Sequence, residues 1–224
     1  KSTGGWGDYS PPAPNQPGLH VFEDYPLAEL VEFIDWTPFF QAWELAGKYP
    51  AILTDDVVGA QASELYQDAR TMLGRIVAEK WLTAKAVFGL WPANSVGDDV
   101  ELQHAGTTER LCFLRQQVDK PAGRPDFCLA DFIAPKDSGR QDWIGAFAVT
   151  AGIGIDEHVA RFEADHDDYN AILLKALADR LAEALAERLH QRVRREFWGF
   201  ASDETLGNEA LIAEQYRGIR PAAG

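Results

Sequence analysis

Between Gly59 and Leu82 the apolar positions Ala62, Leu65, Tyr66, Ala69, Leu73, Ile76 and Val77 step by three and four. That spacing gathers them on one side of a 3.6-residue turn and predicts a long amphipathic helix. A second stripe runs from Tyr169 to Trp198, where Leu173, Leu177, Leu181, Leu185, Leu189 and Val193 recur every four positions. It predicts a helix of about 30 residues whose leucines belong to a core. Ala178, Ala182 and Ala186 form a small-residue face beside them, open to close approach by a neighbour. LAELVEFI, from Leu27, has helical spacing, and Ile155 to Ala164 reads as another helix. Asp35 or Thr37 is placed to cap a helix with Pro38 in its first turn, ended by Gly47. Asn208 is placed to cap a last helix reaching about Tyr216.

The middle of the chain has a different period. Residues 86–91 (AVFGLW) form a short apolar run closed by Pro92, and GDDVEL at 97–102 alternates behind a Gly-Asp turn. Both read as strands, as do 127–133 and 143–150, whereas Arg110 to Val118 fits no one pattern. Strands in the middle with helices at both ends give an α+β class with an antiparallel sheet.

Residues 1–18 are rich in Gly, Pro and Ser, with Trp6 and Tyr9 as isolated aromatics able to anchor them. The expected division is a linker over 1–26 and one domain over 27–224. A net charge of −14 argues against nucleic acid and against an anionic membrane surface. Arg188, Arg192, Arg194 and Arg195 are nevertheless crowded enough to make a local basic patch. No apolar run approaches the roughly 20 residues of a membrane span. Cys112 and Cys128 fit neither a zinc nor a CxxC spacing and read as reduced thiols. With no signal peptide, a cytoplasmic setting is expected. The first residue is Lys, so the chain reads as a piece of a longer polypeptide.

No nucleophile elbow, phosphate loop, HExxH or GxGxG opening is present. His166, Asp167 and Asp168 suggest either a metal site or a helix cap. Consecutive residues on a regular helix cannot all face one ion, and acids favour the positive end of the helix dipole, so the cap is preferred. The other histidines, His20, His104, His158 and His190, are scattered, and no metal site is expected. Asp179, Glu183 and Glu187 fall at i, i+4 and i+8 and share one helical face. That face is either a solvated acidic stripe or a surface that receives a cation. Glu214 precedes Arg220 by six residues, where the last helix gives way to Arg-Pro-Ala-Ala-Gly. A carboxylate and a guanidinium close together can hold the ammonium and carboxylate of an amino-acid-like ligand. The small residues that follow let backbone approach it.

IDWTPFF (34–40), AGKYP (46–50), GLWPANSVGDD (89–99), CLADFIAPK (128–136), IGAFAVTAG (144–152), HDDYN (166–170), KALADRLAEALAE (175–187) and GIRPAAG (218–224) occur in that order. Together they resemble the activation domain of cobalamin-dependent methionine synthase (5-methyltetrahydrofolate–homocysteine methyltransferase). The resemblance runs from Ile34 to Gly224 and is weak before residue 30.

The resemblance implies a C-shaped single α+β domain, a twisted antiparallel sheet flanked by long helices. It implies a domain that binds S-adenosyl-L-methionine (AdoMet) and docks on the cobalamin-binding module of the same polypeptide. There, inactive cob(II)alamin is reductively methylated to methylcobalamin, with an electron from flavodoxin or another reduced flavoprotein. The family's AdoMet positions fall on Asp35, Glu183, Glu214 and Arg220, with Ala222 and Gly224 offering backbone atoms; no residue is assigned a catalytic role. Asp179 is expected to face the cobalamin module. The family continues past the Gly with a Tyr that lines the AdoMet pocket, so a C-terminally truncated form with an incomplete pocket is expected. Homocysteine, folate and cobalamin modules are missing from these residues, so methionine synthesis by this chain alone is not expected. The competing reading is a docking module for a cobalamin protein or flavoprotein that does not bind AdoMet.

Overall fold

The computed structural model describes Trp6, residues 9–121 and residues 123–221. Five strands and five α-helices follow one another in the described chain: β1 (Gly18–Phe22), α1 (Thr37–Ala42), α2 (Gly59–Ala78), β2 (Thr83–Val96), β3 (Asp99–His104), β4 (Thr107–Leu111), β5 (Asp142–Ile153), α3 (Ile155–Ala164), α4 (Asp168–Arg192) and α5 (Asn208–Ile212). Short 3-10 turns cover Leu27–Phe33, Ala51–Thr54, Leu129–Phe132 and Lys136–Ser138, and a π turn covers Val193–Phe197. The sheet order is β1-β2-β3-β4, with β5 also paired to β2. The class is α+β, with β3 antiparallel to both β2 and β4. The chain divides into two compact units, Lys1–His20 with Phe88–Phe147 and Val193–Asp203, and Val21–Val87 with Ala148–Arg192 and Glu204–Gly224.

In the first unit the two-residue turn Gly97-Asp98 joins Val96 to its partner Asp99, and Gly97 has a φ of +67°. That left-handed conformation is what such tight hairpins need, and glycine adopts it without strain. Pro92 does not close β2, contrary to the sequence reading. It sits one residue before Ala93, where pairing with β3 begins, so its missing N–H removes no bond from that ladder. Ala93, Val100, Leu102, Cys128, Ala130 and Ile133 form a buried cluster.

Residues 127–133 are not a strand, as expected from composition, but turn through Leu129–Phe132. The cause is a side-chain network. Asp131 takes the Cys128 N–H on Oδ2 at 3.0 Å, and the Arg115 guanidinium grips the same carboxylate with Nη1 and Nη2 at 2.7 and 2.8 Å. Arg115 also bonds Asp98 through Nη2 at 2.7 Å and the Asp126 carbonyl through Nη1 at 2.6 Å. Its guanidinium holds Asp131 at a pKa of about 2, well below its ordinary 3.8. Because the folded value lies below the unfolded one, the stabilisation is complete above pH 3.8 and is lost as pH falls towards 2. Between about pH 5 and pH 2 the protein should lose about 1–2 kcal/mol more stability than its Asp131→Asn variant. Urea melts across that range measure the difference; parallel acid profiles would refute it.

The N-terminal stretch expected as a linker over 1–26 contains strand β1. Before it, the Trp198 indole donates to the Pro12 carbonyl at 2.8 Å, and Asn15 and Gln16 donate backbone N–H groups to Trp198 and Phe197. Gly, Pro and Ser composition signals flexibility only where no such partner is available.

In the second unit the leucine stripe of α4 is core: Leu173, Leu177, Leu181, Leu185 and Leu189 are fully buried, together with Leu174. The alanine face is only partly so. Ala178 is buried, whereas Ala182 and Ala186 are half-buried. Asp167 opens α4 by accepting the Asn170 N–H on Oδ1 at 3.1 Å and its side-chain amide on Oδ2 at 2.7 Å, the cap expected there. Helix α1 ends at Ala42, short of Gly47. Glu44 takes the left-handed position at φ 59°, and the Leu45 N–H returns to the Phe40 carbonyl at 3.0 Å. This is the closure usually given to glycine. Gly47 serves packing instead, since a Cβ there would stand 2.8 Å from Cγ1 of Ile52.

Candidate functional site

The run Ile34–Phe40 is fixed by its apolar members. Ile34, Trp36, Phe39 and Phe40 are buried, and Trp36 meets Phe39 and Tyr66 edge-on at 5.3 and 4.9 Å. With the rings anchored, Asp35 is left half-buried at the mouth of α1. Its Oδ1 accepts the Thr37 N–H at 3.0 Å, an Asx turn that starts the helix; its Oδ2 has no hydrogen bond among the described residues. The two residue types seen in the sequence thus have separate jobs: aromatic anchorage and carboxylate presentation.

Helix α5 is tied to this run. It is shorter than the sequence suggests, ending at Ile212, and Gly207 rather than Asn208 precedes it. Asn208 donates Nδ2 to the Ile34 carbonyl at 3.2 Å. Its buried Oδ1 has no hydrogen-bond partner among the described residues. After α5, Glu214 adopts φ 54° and the Gln215 N–H returns to the Ala210 carbonyl at 3.0 Å. Glu214 therefore reverses the chain while its side chain is exposed. Tyr216 is buried edge-on against His190 of α4, 4.9 Å between ring centres. Four residues later Arg220 reaches α4, with Nη2 2.9 Å from Oε2 of Glu187. The segment from Asn208 to Arg220 thus spans from the Asp35 run to the C-terminal half of α4.

The structure brings Asp35 next to the clamp of α5, and Arg220 onto the acidic face of α4. Glu183, one turn before Glu187, is exposed and makes no hydrogen bond among the described residues. Arg220 is engaged not by Glu214, its sequence neighbour, but by Glu187. Ala222 and Gly224 lie outside the described residues. The acidic stripe divides by burial: Asp179 is exposed beside Arg180, whereas Glu187 is 7 % exposed and receives a cation. Glu187 and Asn208 were not assigned to the site from sequence. For Glu187 the signal was its place in the i, i+4, i+8 series, which does not say which member is buried. An open depression beside α5 is lined by Gly207, Asn208, Glu209, Ala210 and Gln215; of the described assigned positions, none of Asp35, Glu183, Glu214 and Arg220 lines it.

The expected basic patch does not form a common exposed surface. In the second unit Arg188 lies over the Phe33 ring and bonds Gln191 and Glu29, and Arg192 lies over Phe22 and Tyr25. Arg194 is fully buried, and only Arg195 of the four is exposed. Long cationic side chains cover aromatic surface well, which is what a sequence count of arginines cannot distinguish from solvent exposure. Cys112 is exposed, Cys128 is buried, and both are free thiols. Among the described residues no three His, Cys, Asp or Glu side chains are grouped to hold a metal ion, and no helix is long and apolar enough to cross a membrane.

The model of the family described as vitamin B12 dependent methionine synthase, activation domain, matches residues 26–224. A solved structure, described as the MetH reactivation domain bound to AdoHcy, is similar to this chain at 52% sequence identity with a TM-score of 0.92. The match covers 97% of this chain and 68% of that one. With the family's model matched from residue 26 onward, this chain belongs to the vitamin B12-dependent methionine synthase activation domain family.

Proposed function

We propose that this chain binds AdoMet within residues 27–224 and takes part in reactivating methionine synthase. Docked on the cobalamin-binding module, it would serve the reductive methylation of cob(II)alamin, with an electron from flavodoxin or another reduced flavoprotein. The observation that carries this reading is that a structure 52% identical and of the same fold is one bound to AdoHcy, the demethylated form of AdoMet.

The donor set fits the ligand. AdoMet carries an ammonium, a sulfonium and a carboxylate, so it calls for acids and a guanidinium together. Asp35, Glu183 and Glu214 supply acids from three segments of the second unit, and Arg220 supplies the guanidinium. We assign the ligand carboxylate to Arg220, through the forked geometry that guanidinium groups offer. Glu183 and Glu214 face the ammonium or the ribose hydroxyls, and Asp35 the ammonium or another polar edge. Asn208 Oδ1, a buried acceptor without a hydrogen bond among the described residues, supports a donor-rich ligand beside the Asp35 run. Ala222 and Gly224 offer backbone atoms. Bound AdoMet supplies a methyl group activated by its sulfonium; these residues hold and orient it.

Calorimetric titration of this chain with AdoMet, beside the chain joined to the family's continuation beyond Gly224, tests the reading. Saturation at one equivalent is expected in at least the longer form. Binding by both would place the essential contacts at or before Gly224. Absence of binding in both would overturn the proposal and favour a docking module that does not use AdoMet.

A further inference from the structure

Glu187 is the buried carboxylate of the acidic face, and Arg220 is its partner at 2.9 Å. We propose that Glu187 is a positioning residue for AdoMet: it holds the Arg220 guanidinium in place so that the remaining N–H groups take the ligand carboxylate. This rests on the assignment of Arg220 above.

The argument is one of geometry and charge. Arg220 lies on an irregular segment eight residues beyond α5, where a long side chain has many rotamers to lose on binding. The side chain is 21% exposed and its Nη2 is spent on Glu187. A guanidinium has five N–H donors, so one contact does not exhaust it. Arg115 of the same chain shows the capacity directly, gripping Asp98 and Asp131 at once. Glu187 in turn is built into α4 between the buried Leu185 and Leu189, so its carboxylate is anchored on a rigid element. An arginine fixed beforehand by a buried acid loses less freedom when the ligand arrives, which raises affinity. Glu183, exposed one turn earlier, is not placed for this task.

The test uses Glu187→Gln, which keeps shape and removes charge, and Glu187→Asp, which keeps charge. Each is titrated with AdoMet and with decarboxylated AdoMet, in the same form of the chain in which the unchanged protein binds. The expected result is an AdoMet affinity about 5- to 10-fold weaker in E187Q and largely restored in E187D, with decarboxylated AdoMet changed less than about 2-fold. A merely structural role would weaken both ligands alike, and that outcome overturns the inference. So does an unchanged AdoMet affinity. Tighter AdoMet binding by E187Q would make Glu187 a competitor of the ligand and overturn it equally. Failure of the unchanged protein to bind AdoMet at all overturns the functional reading, which keeps the two failures distinct.

Discussion

Replacing Arg220 with alanine should weaken AdoMet binding by roughly 10- to 150-fold, because a charge-assisted hydrogen bond to a buried group contributes about 1.5–3 kcal/mol. The site offers few substitutes. The other assigned side chains, Asp35, Glu183 and Glu214, are acids, which do not attract a carboxylate. The same substitution removes the guanidinium from Glu187, whose burial makes the loss of a cation costly for the fold as well. A thermal melt must therefore accompany the titration, so that lost affinity is read only on folded protein. Arg220→Lys retains the charge but not the fork and should fall between the two. An Arg220→Ala protein that is folded and binds AdoMet as tightly as the unchanged chain would remove Arg220 from the site.

The second large effect belongs to stability. Arg115→Ala should lower stability, because it removes the cation that Asp98 and Asp131 both bind. Asp131 is 14% exposed at the side chain, whereas Asp98, at 43%, is screened more by solvent. The network also sets the turn at Leu129–Phe132 and the chain entering it, through the Asp126 carbonyl and the Cys128 N–H. Loss of Arg115 therefore releases a segment that carries the exposed Phe127 and Phe132 rings. Urea denaturation at neutral pH measures the effect. A second signature is expected in acid, where the variant's profile should flatten as Asp131 returns towards its ordinary range. An unchanged urea midpoint would show that the surrounding packing, not Arg115, holds this turn.

Several elements were legible from periodicity because their partners are local. Helices α2 and α3 and strand β5 lie where their apolar spacing places them. The start of α4 was legible from Asp167, since a cap satisfies its own helix. The misreadings share one cause. Residues 127–133 carry a strand-like composition, yet Asp131 within the run meets Arg115, outside the run's own pattern, and the chain bends there. Nor does the linker composition at the start of the chain tell that Trp198 and Phe197, far along the sequence, supply hydrogen-bond partners there. A proline lacks an N–H and so reads as a strand end, but whether that N–H is needed at Pro92 depends on where pairing begins.

By itself the sequence determined the class, the long helices, the family resemblance and the residue types a sulfonium amino acid would need. Only the tertiary structure decided which charges are paired and which face solvent. Asp179, Glu183 and Glu187 are equivalent by spacing, yet burial separates the last from the others and gives it Arg220. The arginines from 188 to 195 look like one patch, yet stacking on rings and burial disperse them. The reason is physical. Helical spacing fixes the direction of a side chain relative to its own axis. The free energy of a charge depends on the water and partners around it, and those come from segments that no local pattern can bring together.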